Sequence, residues 1–364
     1  MLFHSSLRKE LSRSFGATLV VLVTIVMTII LIRTLGLASK GSVNPSEVFL
    51  IMAYTVVGYM PTILSLALFI AIVGTLSRMY RDSEMVIWLS SGRGLADFVA
   101  PLFQFAWPVL LLIAALAFVG WPWANLQTQG MRDQYERRGD IDRVTPGQFQ
   151  ESSGRNRVFF VDKDTADGTT ASNVFISSIE RGLQIVTTAR SGRVEDIDKG
   201  RYLVLRDGQR LERRLDNTGL KVSEFASYGA KVGSDAPTSA DQTPPRARST
   251  LALLAEPTDP NRGELGWRIG MVLAAVNFVL LALVVSGVNP RVGRSGNLVF
   301  ALFAFVVYYN LLNLGNSWIS SGRHGLGTFL TVLHGGALLL TLLWLAKRHN
   351  NWGRRARSTR LPLR

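Results

Sequence analysis

Cysteine is absent from all 364 residues, so no disulfide staples any part of the chain and no thiolate can hold a metal. The four histidines, His4, His324, His334 and His349, show neither HxxxH nor HExxH spacing, and no metal is assigned. No lysine is followed by serine or threonine. That excludes a Walker A phosphate loop, and with it ATP hydrolysis by that route. No nucleophile–base constellation is present either, so the chain reads as something other than an enzyme. Charge is also missing where it would matter most. Six apolar stretches, 15–32, 48–76, 98–121, 267–286, 298–319 and 326–346, hold no Asp, Glu or Lys in their interiors. Many proton- or sodium-coupled carriers bury carboxylates there, so the energy for any transport has to come from elsewhere.

Each stretch can cross a hydrocarbon core, which takes about 20 apolar residues in a helix. The first exceeds the roughly 7–15 residues of a signal-peptide core, and Gly36-Leu37-Ala38-Ser39 is a weak cleavage site, so it reads as a retained anchor. The second carries Pro61 and is expected to kink or tilt. The formal charge of +14 gathers at span ends and in the tail, which points to topology and not to nucleic acid. Arg8, Lys9, Arg13, Arg78, Arg81, Arg93, Arg291, Arg294 and the tail from Lys347 to Arg364 fall on one side. Only Arg33, Lys40 and Arg323 fall in short loops on the other. The positive-inside rule then puts both termini in the cytoplasm and the long polar insert, 122–262, outside.

The insert has strand-sized runs at 158–161, 174–176, 183–186 and 202–205, separated by turn signals. Of these, Asp207-Gly208 is expected to form a two-residue hairpin turn. Short strands at this spacing suggest a sandwich, a jelly roll or an open barrel. Residues 132–143 read as a helical extension of the third span, and 233–262, rich in Pro, Ser and Thr, as a mobile linker back to the membrane.

The loop 82–92 predicts a short helix, with Asp82 or Ser83 as its cap and Gly92 as its stop. Met85, Trp88 and Leu89 share a face by their spacing. Such a helix either lies on the inner lipid surface or plugs into a cytoplasmic partner with those residues as anchors. Arg33, Lys40, Arg268 and Arg323 lie near external span ends and form a candidate lipid-binding rim, arginine being able to grip phosphate oxygens in pairs; ordinary snorkelling is the alternative. Asn310, Asn313 and Asn316 share a face of the fifth span, to line a polar cavity or, better, to bond neighbouring helices. The basic tail 347–364 suits anchoring at anionic headgroups.

Several short motifs occur in a fixed order: Ser83-Glu84-Met85-Val86, Gly147-Gln148-Phe149, Glu264-Leu265-Gly266-Trp267-Arg268 and Asn289-Pro290-Arg291-Val292-Gly293-Arg294. With three spans before the insert and three after, the chain resembles the lipopolysaccharide-export permeases (LptF/LptG) over its whole length, and the F-type more than the G-type. The resemblance implies an α-helical membrane protein of the Gram-negative inner membrane. Six transmembrane helices (3+3) occupy 1–121 and 263–346, with a periplasmic all-β jellyroll-like domain between them and a cytoplasmic tail after them. It implies pairing with an LptG-like sibling around a lipid-sized cavity, on an LptB-like ATPase dimer that holds the ATP and magnesium, this chain having no cofactor of its own. LptC-like and LptA-like jellyroll proteins would continue the bridge. Glu84 matches the family's ATPase contact, with Met85, Trp88 and Leu89 beside it, and the family's lateral gates use basic residues near the rim. The contrary reading is a membrane-anchored scaffold or sensor that transports nothing.

Overall fold

The structure is a computed structural model, and it describes residues 2–39, 47–92, 94–137, 149–151, 157–160, 162, 170–180, 183–197, 200–214, 219–231, 243–286 and 296–349. Six helical stretches in it are long and apolar enough to cross a membrane, matching the six apolar runs. The first is α1 (Leu2–Ser39) and the second α2 (Val48–Arg81), which runs on as one helix through Pro61. After the short α3 (Glu84–Ser90) and a 3-10 turn, α4 (Val99–Ala115) passes through a π-helical segment (Leu116–Gly120) into α5 (Trp121–Arg137). The expected polar extension of the third span is therefore present as far as Arg137. On the far side of the insert come α6 (Thr250–Ala255), α7 (Asp259–Val285) and α8 (Gly296–Ser320). The last span joins α9 (Leu326–Leu330), a second π-helical segment (Thr331–Gly335) and α10 (Gly336–His349).

The chain divides into two compact units. The helical unit takes 1–34, 49–129 and 243–364, and the second takes 35–48 and 130–242. The stretch 243–262, expected to be a mobile linker, is ordered and belongs to the helical unit. Its serine and proline content serves helix starts: Ser249 Oγ accepts from Ala252 N at 3.2 Å and caps α6, and Pro260 opens α7 where a missing N–H costs nothing.

Packing within the helical unit is uneven. In α7, 67% of the apolar window is buried inside the chain; in α1 only 6% is, held mainly through Leu7, Leu11, Ile30 and Thr34. Small residues let α7, α8 and α9 approach closely. A side chain at Gly263 would overlap Ser320, and one at Gly315 would overlap the ring of Phe329.

The second unit is built on one antiparallel sheet: β1 (Gln150–Glu151), β2 (Arg157–Phe160), β3 (Thr170–Glu180), β4 (Leu183–Ile197), β5 (Gly200–Arg214) and β6 (Leu220–Lys231). The strands lie in sequence order, and among the described residues β1 and β6 do not pair, so the jellyroll-like sheet is open. Phe159, Val174, Ile176, Ala189, Leu203 and Leu205 form its core. The hairpin expected at Asp207-Gly208 is corrected, because β5 continues through both residues without turning back. Asp207 has φ 51° and Asn173 on β3 has φ 47°. The pairing of β3, β4, β5 and β6 skips Asn173, Arg190, Asp207 and Ala226, which lie in line across the sheet. The same left-handed tolerance that favours Asp in a tight turn here creases a strand.

The glycine contacts give a test of the helical packing. Gly315→Ala should destabilise the protein by about 1–3 kcal/mol through overpacking against Phe329. Gly327→Ala, with nothing within 4 Å of the new methyl, should leave the thermal unfolding midpoint in detergent unchanged. Equal midpoints for the two variants would refute this account of the packing.

Candidate functional site at the loop helix and the charged rim

The loop helix forms where α2 ends. Asp82 N still bonds to Arg78 O at 2.9 Å, and Ser83 then takes a left-handed turn, φ 59°. Val86 N bonds to Ser83 O at 3.1 Å to start α3. Ser83 occupies the cap position but its side chain makes no capping bond, so the expected Ser or Asp cap is replaced by an ion cluster. Arg78 Nη1 reaches Asp82 Oδ2 at 3.0 Å and Glu84 Oε1 at 2.8 Å, while its Nε pairs with Glu10 of α1. One guanidinium thus ties α1, α2 and α3 together, and Glu84 stabilises the first turn of α3 as an anion at a helix start. These groups are partly solvated, so each pair is worth about 0–1 kcal/mol, and the cluster sets geometry more than stability. Gly92, with φ 86°, ends the helix as expected, its N–H bonding to Leu89 O at 3.2 Å.

Burial separates the predicted anchors. Met85 is 0% exposed and packs in the chain's own core with Phe98, Leu76 and Met79, and Trp88 packs against that core. Both hold α3 to the bundle. Outward, Val86 is 60% exposed, Ile87 66% and Leu89 42%. The free apolar surface is therefore Val86, Ile87 and Leu89, with the Glu84 carboxylate, 42% exposed, at its N-terminal edge. Spacing grouped Leu89 with Met85 and Trp88 and passed over Val86 and Ile87. The helix is apolar on nearly every side, and periodicity cannot say which side is covered.

The rim residues also part company. Arg33 and Arg323 are exposed, and among the described residues neither side chain has a polar partner. Lys40 lies outside the described residues. Arg268 is not on a rim: it is 0% exposed, and all three of its guanidinium nitrogens are engaged. Nε donates to Glu264 Oε1 at 2.9 Å, Nη1 to Thr250 Oγ1 at 2.8 Å, and Nη2 to Arg248 O at 3.0 Å, with longer bonds to Pro245 O and Arg246 O. Glu264 also accepts from Trp121 Nε1 at 2.8 Å, and the Thr250 hydroxyl donates to Phe118 O, inside the first π-helical segment, at 2.6 Å. The indoles of Trp121 and Trp267 lie 4.6 Å apart beside it. Arg268 is thus a buried staple joining the segment 245–250 to α5 and α7.

Two further polar groups sit deep among the helices. Asn277 Nδ2 donates to Tyr308 Oη at 2.9 Å and to His334 O at 3.0 Å, and Tyr308 Oη lies 2.8 Å from His334 Nδ1. Trp267 Nε1 donates to Asn313 Oδ1 at 3.1 Å, so this asparagine bonds to a neighbouring helix. Asn310 instead bonds within its own helix, to Val306 O, and Asn316 accepts from Ser320.

Residues 6–348 match the family described as "Lipopolysaccharide export system permease LptF/LptG". The chain belongs to that family. The "Lipopolysaccharide export system permease protein LptF" of Escherichia coli K12 is 27% identical over 319 residues, 85% of each chain. The proteins of the same description from Escherichia coli O157:H7 and Shigella flexneri show the same identity and coverage. An LptF/LptG-type permease with several spanning helices is an inner-membrane protein and a transporter subunit rather than an enzyme. Within this family member, Glu264 and Arg268 sit one helical turn apart, and the i, i+4 spacing was the available sign that they pair.

The staple and the inner anchor make separate predictions. Arg268→Ala leaves the Glu264 carboxylate buried without its cation and should cost about 3–5 kcal/mol, read as a lowered unfolding midpoint in detergent. Arg268→Lys should not restore it, since an ammonium cannot reach the same spread of acceptors. Met85→Ala should cost about 2–5 kcal/mol as a core truncation, whereas Ile87→Ala should leave the midpoint unchanged. A stable Met85→Ala protein would place that side chain outside the core.

Proposed function

We propose that this chain is the permease half of an ATP-driven lipopolysaccharide extractor and that α3 is where it receives the drive. The observation that carries the reading is the uncovered face Val86–Ile87–Leu89 beside Glu84, on a helix whose other side is fixed in the bundle by Met85 and Trp88. A helix fastened on one side and apolar on the other suits insertion into a groove on a second protein. Glu84 keeps solvent-facing capacity for a cation of that protein, while its pairing with Arg78 would pass any displacement of α3 to α1 and α2.

Loop charges support cytoplasmic termini and a cytoplasmic α3, with 122–262 in the periplasm. The chain has no phosphate loop, so the nucleotide and its magnesium belong to an LptB-like ATPase dimer. An LptG-like sibling completes the cavity, and the extracted lipid passes to LptC-like and LptA-like jellyroll proteins. Arg33 and Arg323, with Lys40, are the cations offered to lipid phosphates at the outer edge. Arg268, buried and fully engaged, offers no charge there and instead fixes the segment after the β-domain to the helices.

Affinity purification in mild detergent tests this reading. The parent chain should retain an ATPase and a second six-span protein, and Ile87→Asp should lower the retained ATPase at least tenfold, a loss of about 1.4 kcal/mol or more, at an unchanged unfolding midpoint. Glu84→Lys should uncouple ATP hydrolysis from lipopolysaccharide release in proteoliposomes. Should both variants hold the ATPase and release lipid at the parental rate, α3 is not the point of drive; should the parent chain retain no ATPase and release no lipid, the scaffold reading replaces the transporter.

A further inference from the structure

The face of the sheet turned away from its apolar core carries side chains that extraction through the helices does not use. Phe160, Phe175, Thr188, Gln209 and Glu224 are consecutive cross-strand partners on β2, β3, β4, β5 and β6. Directly paired residues in an antiparallel sheet project on the same side, so the five form one row. Four inter-strand steps of about 4.8 Å make it about 19 Å long, enough for an oligosaccharide rather than a single ring. Two residues along each strand, on the same side, lie Asn173, Arg190, Asp207 and Ala226, where the pairing is skipped and the sheet creases. Between the two rows is an open cleft of about 840 Å³.

The cleft is graded from one end to the other. At β2 and β3 it is aromatic: Phe160 and Phe175 line it, and Phe149 lies 4.7 Å from Phe160 and 6.2 Å from Phe175, measured between ring centres. At β5 and β6 it is an amide–carboxylate pair, with Gln209 Nε2 donating to Glu224 Oε1 at 3.0 Å. That bond fixes both groups and leaves Glu224 Oε2 and Gln209 Oε1 as acceptors for hydroxyl donors. Arg190 and Asp207 add a donor and an acceptor from the second row. Aromatic faces against C–H groups, with fixed polar groups for hydroxyls, are what a pyranose ring presents surfaces to meet. The formal charge of the lining, one arginine against Asp207 and Glu224, disfavours a phosphate, and the polar end disfavours an acyl chain. Two left-handed residues in line, at Asn173 and Asp207, are a strained feature of the kind retained around binding sites.

We propose that this row is a carbohydrate-binding cleft that takes the sugar portion of the exported glycolipid. The proposal rests on the lipopolysaccharide-export reading for the source of the sugar. It assigns Phe160 and Phe175 as the stacking platform and Gln209 and Glu224 as the hydroxyl-reading pair.

The test uses the full chain in detergent and, as probe, the lipid-free oligosaccharide released from lipopolysaccharide by mild acid, titrated by calorimetry. Saturable binding is expected, undisturbed by inorganic phosphate. The double variant Gln209→Ala, Glu224→Gln should weaken it at least tenfold at an unchanged unfolding midpoint, since both side chains are exposed. Phe175→Leu, which keeps the bulk and removes the ring face, should weaken it too. No saturation, parental affinity in the double variant, or displacement by inorganic phosphate overturns the cleft. Failure here is separable from failure of the transport reading. A chain that couples to its ATPase but binds no oligosaccharide loses only the cleft. One that binds oligosaccharide but couples to no ATPase loses only the transport.

Discussion

A polar backbone group released inside hydrocarbon has no water to turn to, and the helical unit is arranged around meeting that need from within. Both π-helical segments show it. Phe118 O, in the first, accepts from Thr250, and His334 O, in the second, accepts from Asn277. Thr250 is held in turn by Arg268, and Asn277 by Tyr308. Polar side chains of α6 and α7 thus serve the backbone of the third and sixth spans, backed by Arg268 on α7 and Tyr308 on α8. A guanidinium with no exposure is tolerable only because carbonyls, a hydroxyl and a carboxylate converge on it. The stretch that follows the β-domain supplies most of those acceptors, so this segment is structure and not tether.

The end of the unit that carries α3 works on a different balance. Met85 and Trp88 spend α3's apolar surface on the bundle, and Val86, Ile87 and Leu89 are left over. Arg78 then links the start of α3 to α1 and α2 through carboxylates that remain wetted. Weak, solvated pairs suit a joint that has to shift, where a dry ion pair such as that of Arg268 suits one that must not. The two arginines mark a compliant end and a fixed one.

Much of this architecture was legible in residue order. Six apolar runs of spanning length can be little else, and the branched and aromatic runs of the insert became β2, β3, β4 and β5. What was missed has physical causes. Strand β6 alternates apolar and polar residues too sparsely to stand out before its partner strand is known. Asp207-Gly208 permits left-handed backbone, which a turn and a strand crease both require, and only the pairing of β5 with β4 and β6 decides between them. The segment from 243 looked like linker because Pro, Ser and Thr also write helix caps. On α3, Glu84 stood out by motif, but spacing could not tell which face of its helix the bundle leaves uncovered. Arg268 looked like a snorkelling cation until the three-dimensional neighbours of Glu264 were in view.

The thin coverage of α1 has a consequence for how that span can move. A helix with so little of its apolar window covered by its own protein gains little from folding onto it, whereas α7 is locked in by its own neighbours. Of the six spans, α1 is thus the least constrained by the chain's own packing, and it can tilt or turn against the rest of the helical unit at the smallest cost in buried contacts.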